Sequence, residues 1–319
     1  MKIIIRKTLM LLMSISLFSN AMLSCKENIS STSQDTTSRE AKTEAVIAED
    51  LYENFTAEGT VFIKFSGNTF TSSFEGAASA EEISIKKVEN SEKEETSSGV
   101  EIQYKGSAKI KYVLSGNYTG TVFIKNKKAD AAVVLNNVNL TSADGSGPVL
   151  RFSAEDTRTF IVVPAGTTNT LKDTRLLNQS STMYDDKKGS VYAKGTLIFT
   201  GETSTKAGGT LNIVNTGYKH AVYSKDYIRI ANLNLNVTVE GKTGRDCIRA
   251  LNAIIVDDGN LKLVGNGTII DDESAGLRVD GEDADDDDMT VEYTAGAGFI
   301  IINGGNIDIT TVAKGITAH

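Results

Sequence analysis

The chain has 319 residues, of which 23% are charged, with 28 Gly, 2 Pro, no Trp and a net charge of −8. That length holds one or two ordinary domains, and the acidic balance argues against a nucleic-acid partner, whose phosphates reward basic surfaces. Two cysteines are too few for a disulfide scaffold; plentiful Gly with recurring Asn, Thr and Ser suits short strands joined by tight turns.

Met1 to Cys25 reads as a targeting segment. Lys2, Arg6 and Lys7 form a positive start, and Leu9 to Phe18 is an apolar run too short to span a bilayer comfortably. Met22-Leu23-Ser24-Cys25 resembles a bacterial lipobox, which predicts a signal peptide over 1–24, lipidation at Cys25 and an exported, membrane-anchored lipoprotein at the cell surface. Met22 and Leu23 depart from the commonest lipobox pattern, so ordinary signal cleavage and an unprocessed anchor stand as alternatives. Residues 25–58 are polar and free of β-periodicity, as a disordered tether is, with room for a short helix between Ala41 and Phe55.

From Gly59 the apolar residues alternate: Val61, Ile63 and Phe65, then Ile83 and Ile85, then Val100, Ile102 and Tyr104. Alternation means strand. Residues 59–188 carry strands without a strict period and read as irregular capping coils; residues 189–319 read as regular coils. Two stretches in the latter align without a gap, placing Val222 on Ile248, Ile228 on Ile254, Ile230 on Val256, Leu235 on Leu261 and Val237 on Leu263, each 26 residues apart. A fixed period of this size marks a solenoid. Three short apolar bursts per period give three strands per coil, with none of the helical segments of leucine-rich repeats. The expected fold is therefore an all-β, right-handed parallel β-helix, its hand following the rule for parallel crossovers, with equivalent side chains stacked about 4.8 Å apart. Val191, Val222, Ile248, Leu277 and Ile316 start successive coils. Insertions lie at Glu202 to Gly208 and Asp280 to Gly298; removing about 20 residues from the second sets Ile302, Ile307 and Ile309 onto Val256, Leu261 and Leu263. The sequence stops at K-G-I-T-A-H, one strand into a new coil, which reads as a fragment of a longer helix.

The succession V-L-S-G-N-Y-T-G-T-V-F-I, V-V-L-N-N-V-N-L-T-S, P-A-G-T-T-N-T-L-K-D, G-S-V-Y-A-K-G-T-L-I-F-T-G, K-H-A-V-Y-S-K-D-Y-I-R-I and I-I-I-N-G-G-N-I-D-I resembles the bacterial β-helix carbohydrate-binding domain family. The resemblance runs from residue 59 to the end. It implies calcium-binding, pectate-lyase-like coils that bind polygalacturonate and cellulose.

Two constellations could carry such binding. The acidic run D-G-E-D-A-D-D-D-D begins at Asp280, with Asp271, Asp272 and Glu273 just before it and Asp246 one coil earlier. Acidic runs are usually solvated surface, but carboxylates stacked at the strand spacing repel, by roughly 1 kcal/mol per pair in water and more in protein. A hard cation with six to eight oxygen ligands relieves that, so calcium is expected among Asp246, Asp271, Asp272, Asp280, Glu282, Asp283 and Asp285. The second constellation is a column: Tyr192, Tyr223, Arg249 and Arg278 each follow the aliphatic that starts a coil, and Lys194 and Lys225 form a shorter column beside it. Cations at a short axial repeat suit a polyanion, and Tyr adds CH–π contact to sugar rings, with Tyr218 and Tyr227 nearby; a plain solvated face with Tyr shielding strand edges is the alternative.

Catalysis has little support. His220 and His319 are the sole histidines and read as turn or surface residues, Cys247 reads as a small core hydrophobe, and no Ser lies in G-x-S-x-G. The expected function is a non-catalytic, calcium-assisted binder of acidic polysaccharide. A calcium-dependent polysaccharide lyase using Arg245, Arg249 or Arg278, and a structural or adhesive surface solenoid, are the competing readings.

Overall fold

The structure is a computed structural model that describes residues 48–89, 98–142, 147–175, 189–203, 206–216, 219–241, 245–267, 274–281 and 298–319. The expected signal peptide, Cys25 and most of the tether lie outside these residues, as do Tyr218, Asp271, Asp272, Glu282, Asp283 and Asp285. Apart from short 3-10 turns at Tyr52–Asn54 and Ala80–Glu82, the elements with assigned bounds are β-strands, so the chain is all-β.

Its strands follow a rule of three. His220–Ser224, Tyr227–Ala231 and Asn234–Gly241 succeed one another along the chain, and each pairs in parallel with its equivalent in the next trio: Ile248–Ala250, Ala253–Val256 and Asn260–Gly267. Those pair in turn with Ala275–Val279, Phe299–Ile302 and Asn306–Thr311. Gly189–Ala193, Leu197–Thr200 and Thr210–Asn215 form the preceding trio. Three parallel ladders result, called first, second and third here in chain order within a trio. The register is the one the sequence period predicts, with Val222 on Ile248, Ile254 on Ile228 and Leu263 on Val237. It also carries across the long insertion, since Ile302 sits on Val256 and Ile309 on Leu263.

The period fails upstream because the strands lengthen. Ala131–Ser142 pairs with Thr159–Val162 through its first residues and with Thr168–Asp173 through its last, so one strand serves the second and third ladders together. Fitting it against Ile110–Thr119 needs a slip in register beyond Leu114. Gly116 sits there at φ +85°, where a Cβ would run into the Phe65 carbonyl oxygen, and Asn137 takes a left-handed φ of 53° opposite. Antiparallel pairs close this end: Gly59–Gly67 with Thr69–Gly76, and Ile83–Val88 with Gly99–Tyr104.

The core lies between the ladders, filled by inward columns such as Leu140, Leu171, Ile213, Val237, Leu263 and Ile309. Each such aliphatic side chain, fully buried, contributes about 1.5–3 kcal/mol. Tyr112 departs from the pattern. It is fully buried between Val61 and Val133, and its hydroxyl has no hydrogen-bond partner; burial pushes its phenol well above the usual range. A buried unsatisfied hydroxyl costs about 1–3 kcal/mol. Tyr112→Phe should therefore raise the urea midpoint, by about 1 kcal/mol in stability; a lower midpoint would mean the hydroxyl is satisfied in solution.

Residues 48–55 do not hang free. They lie as a strap on the outward side of the second ladder, where Tyr52 and Phe55 pack on Phe160 with ring centroids at 5.8 and 5.4 Å. Ala132, Val162 and Ile198 complete this small apolar patch outside the main core.

Candidate functional site

The structure brings Tyr192, Tyr223, Arg249 and Arg278 into the single register column expected of them on the first ladder. It does not put them on an open face. Their exposures are 2, 4, 2 and 4%. Tyr192, Tyr223 and Leu251 form an apolar cluster, and the Arg249 guanidinium lies 5.6 Å from the Tyr223 ring centre.

The two arginines are held by Asp280. Its carboxylate, fully buried, accepts from Arg249 Nε at 2.6 Å and from Arg278 Nε at 2.6 Å. Arg249 Nη1 also reaches His220 Nε2 at 3.0 Å. A guanidinium only donates, so Nε2 accepts and the ring proton belongs on Nδ1, which faces Asp246 Oδ2 at 2.9 Å. That tautomer reduces the 3.4 Å approach of the Asp246 N–H to Nδ1 to a contact. Asp246 Oδ1 accepts the Ala275 N–H at 2.7 Å. Asp246, His220, Arg249, Asp280 and Arg278 thus make one buried polar chain across three trios. Desolvation works to lower the Arg278 pKa, but the Asp280 carboxylate outweighs it and the guanidinium is held above its ordinary value. His220, expected at a surface turn, is fully buried within this chain. Cys247 is a buried core thiol, as its neighbours in sequence suggest, and burial pushes its pKa up.

Asp246 and Asp280 are accordingly engaged with His220 and with Arg249 and Arg278. Among the described residues no three His, Cys, Asp or Glu side chains come together as metal ligands. The other candidate ligands lie outside the described residues.

Lys194 and Lys225 are exposed, one residue past in-register strands. Lys194 Nζ meets Glu155 at 2.7 Å and holds that carboxyl below its usual range. The outward side of the third ladder adds what the sequence reading passed over. Asn117, Asn139, Thr170, Asn212, Asn236, Lys262 and Asp308 stand in one register column across seven strands, all half-buried or exposed. Neighbouring amides bond along the stack, Asn139 to Asn117 at 3.0 Å and Asn236 to Asn212 at 2.9 Å; beside them Asn260 donates to Asn234 at 2.8 Å. The signal was available: each of these residues directly precedes a buried residue of the inward column, as Asn139 precedes Leu140 and Asn212 precedes Ile213.

Such a face offers hydrogen-bond donors and acceptors at the strand spacing, roughly 4.8 Å, which is the kind of surface a polyhydroxylated chain can follow. Among solved structures, a polysaccharide lyase-like protein from C. thermocellum, determined as a gadolinium derivative, matches with a TM-score of 0.51 over 81% of this chain and 91% of that one. At 14% identity the likeness is one of fold. No curated protein matches the chain. Residues 96–319 match the model of the carbohydrate-binding domain-containing proteins, and the chain belongs to that family.

Proposed function

We propose that this chain is a non-catalytic polysaccharide-binding protein, that its ladders wind as a right-handed parallel β-helix, and that its polymer is acidic. The observation that carries the reading is the outward polar column of the third ladder, seven residues in register on a chain of carbohydrate-binding family. The acidic preference draws on the exposed Lys194 and Lys225 on the first ladder and on Lys262 within that polar column. The buried Arg column has a different part: it fixes the first ladder rather than touching polymer. A lyase would need a base able to take a proton, and Arg278 is held charged by Asp280. Calcium enters through Asp271, Asp272, Glu282, Asp283 and Asp285, as a bridge between protein and polymer carboxylates. Lipidation at Cys25 would hold the binding faces at a membrane surface.

The test incubates the purified chain with polygalacturonate in calcium or in chelator, follows ultraviolet absorbance for unsaturated ends, and then sediments the polymer. Co-sedimentation without absorbance growth is expected, weaker in chelator and in high salt, because exposed charge pairs are screened within about 8–10 Å at 0.1–0.15 M. Absorbance growth would make the chain a lyase. No co-sedimentation with acidic or uncharged polymers would leave a structural solenoid.

A further inference from the structure

The strap over the second ladder carries one buried charge. Asp50 has no exposed side-chain surface, and three donors converge on it: the Tyr227 hydroxyl at 2.7 Å, Arg158 Nε at 2.9 Å and Arg229 Nη1 at 3.2 Å. The donors belong to the rigid ladder. Arg158 directly precedes Thr159–Val162, while Tyr227 and Arg229 lie in Tyr227–Ala231, the strand on the other side of Leu197–Thr200. The carboxylate reaches them from more than 100 residues away in sequence, on a short segment outside the repeat.

We propose that Arg158, Arg229 and Tyr227 form a carboxylate-binding site for the uronate units of an acidic polysaccharide, and that Asp50 is its resident competitor, on a strap that lifts when polymer binds. This rests on the acidic-polymer reading above and gives that polymer a second point of grip.

Four features support it. Guanidinium forks match carboxylates in shape and charge. Arg229 keeps its place without the strap, because its Nε also donates to Asp257 at 2.5 Å; Arg158 is anchored only through its backbone N–H, which donates to Asp130 at 2.8 Å, while its Nη2 meets Glu49 of the strap at 2.6 Å. Beside the cluster, Tyr52 and Phe55 cover Phe160, so a lifted strap bares an aromatic ring next to two guanidiniums, the pairing of apolar face and cation that a uronate ring needs. Finally, Asp50 is a poorly compensated tenant: burial raises its carboxyl above the usual range in spite of Tyr227, Arg158 and Arg229.

The experiment measures binding of galacturonate oligomers to the full chain by calorimetry. Asp50→Asn removes the buried competing carboxylate and leaves in place the rings and the exposed Glu49, which meets Arg158 Nη2 at 2.6 Å; Tyr52→Ser with Phe55→Ser loosens the strap and leaves the cluster in place. Each should tighten binding about tenfold, the factor expected if the closed strap occupies about 90% of molecules. Glu75→Gln, an equal charge change at an exposed position outside the strap, should not. Adding Arg158→Gln or Arg229→Gln should abolish the gain. In the wild type, the oligomers should speed proteolysis within residues 48–55, and uncharged cello-oligosaccharides should not. If the oligomers bind equally well to every variant, the site is overturned while the acidic-polymer reading stands. If no variant binds them but uncharged polymer still sediments the protein, both fall and carbohydrate binding survives. Should the double variant fail to fold, Asp50→Asn decides alone.

Discussion

Asp280→Ala should cost the fold about 3–5 kcal/mol, the range for removing one partner from a buried ion pair. The melting temperature should fall by on the order of 10 °C. The carboxylate is fully buried and holds two guanidiniums at 2.6 Å each, so its loss takes their shared counter-charge from two cations that burial has already separated from water. The hydrogen-bonded chain would lose its centre, since Arg249 also supports His220 and, through it, Asp246. The complementary variant replaces the whole group: Arg249→Met, Arg278→Met and Asp280→Leu together should recover most of the loss, because well-packed apolar residues often match a buried ion cluster in stability. Calorimetric melts of the two variants check this. A loss below about 1 kcal/mol for Asp280→Ala, the level of an exposed pair, would show that water reaches the carboxylate in solution.

That network also shows where sequence reading succeeds and stops. The column Tyr192, Tyr223, Arg249, Arg278 was legible because a parallel ladder stacks equivalent residues: the gapless repeat sets Tyr223 on Arg249, and the coil-starting Val191 and Leu277 extend it to Tyr192 and Arg278. Whether a column meets water is a different matter. Alternation separates the two sides of a strand, and on the first ladder both sides are buried: Gly189–Ala193, His220–Ser224 and Ala275–Val279 have no exposed residue. The four residues therefore read as a cationic and aromatic face when they are a packed and ion-paired layer. His220 was misjudged for the same reason. Its partners Asp246 and Arg249 lie 26 and 29 residues on, in the next trio of strands, and a local window cannot join them.

The strap escaped for a further reason. Asp50 has no periodic pattern around it, and its partners stand 108 to 179 residues away. Asn169 is a smaller case. It occupies the inward column of Leu211, Leu235, Leu261 and Ile307, fully buried, where the repeat calls for an aliphatic. Its side chain accepts the Val138 N–H at 2.9 Å, next to the register slip in the long strand, and so supplies the backbone bond that the slip removes. A residue that breaks the pattern marks the place where the pattern itself is interrupted.

Leu263→Ala and Ile309→Ala should differ by about twofold in cost, although the two residues are adjacent in the same inward column. Leu263 is fully buried, stacked on Val237 on one side and Ile309 on the other. Its truncation should cost about 2–5 kcal/mol, the transfer free energy plus a cavity that the ladder closes only in part. Ile309 belongs to Asn306–Thr311, the last strand of the third ladder among the described residues, and is 6% exposed. Among the described residues of its column it stacks on Leu263 only, so its truncation removes fewer contacts and leaves a hollow that water can enter. In a fold whose units touch mainly their neighbours, stability is a sum of unit and interface terms, and a side chain stacked on one side carries one interface fewer. Urea titrations of the two variants measure the ratio. Equal costs would mean that Ile309 is covered on its far side in solution, as it would be if two copies of the chain met along these final strands.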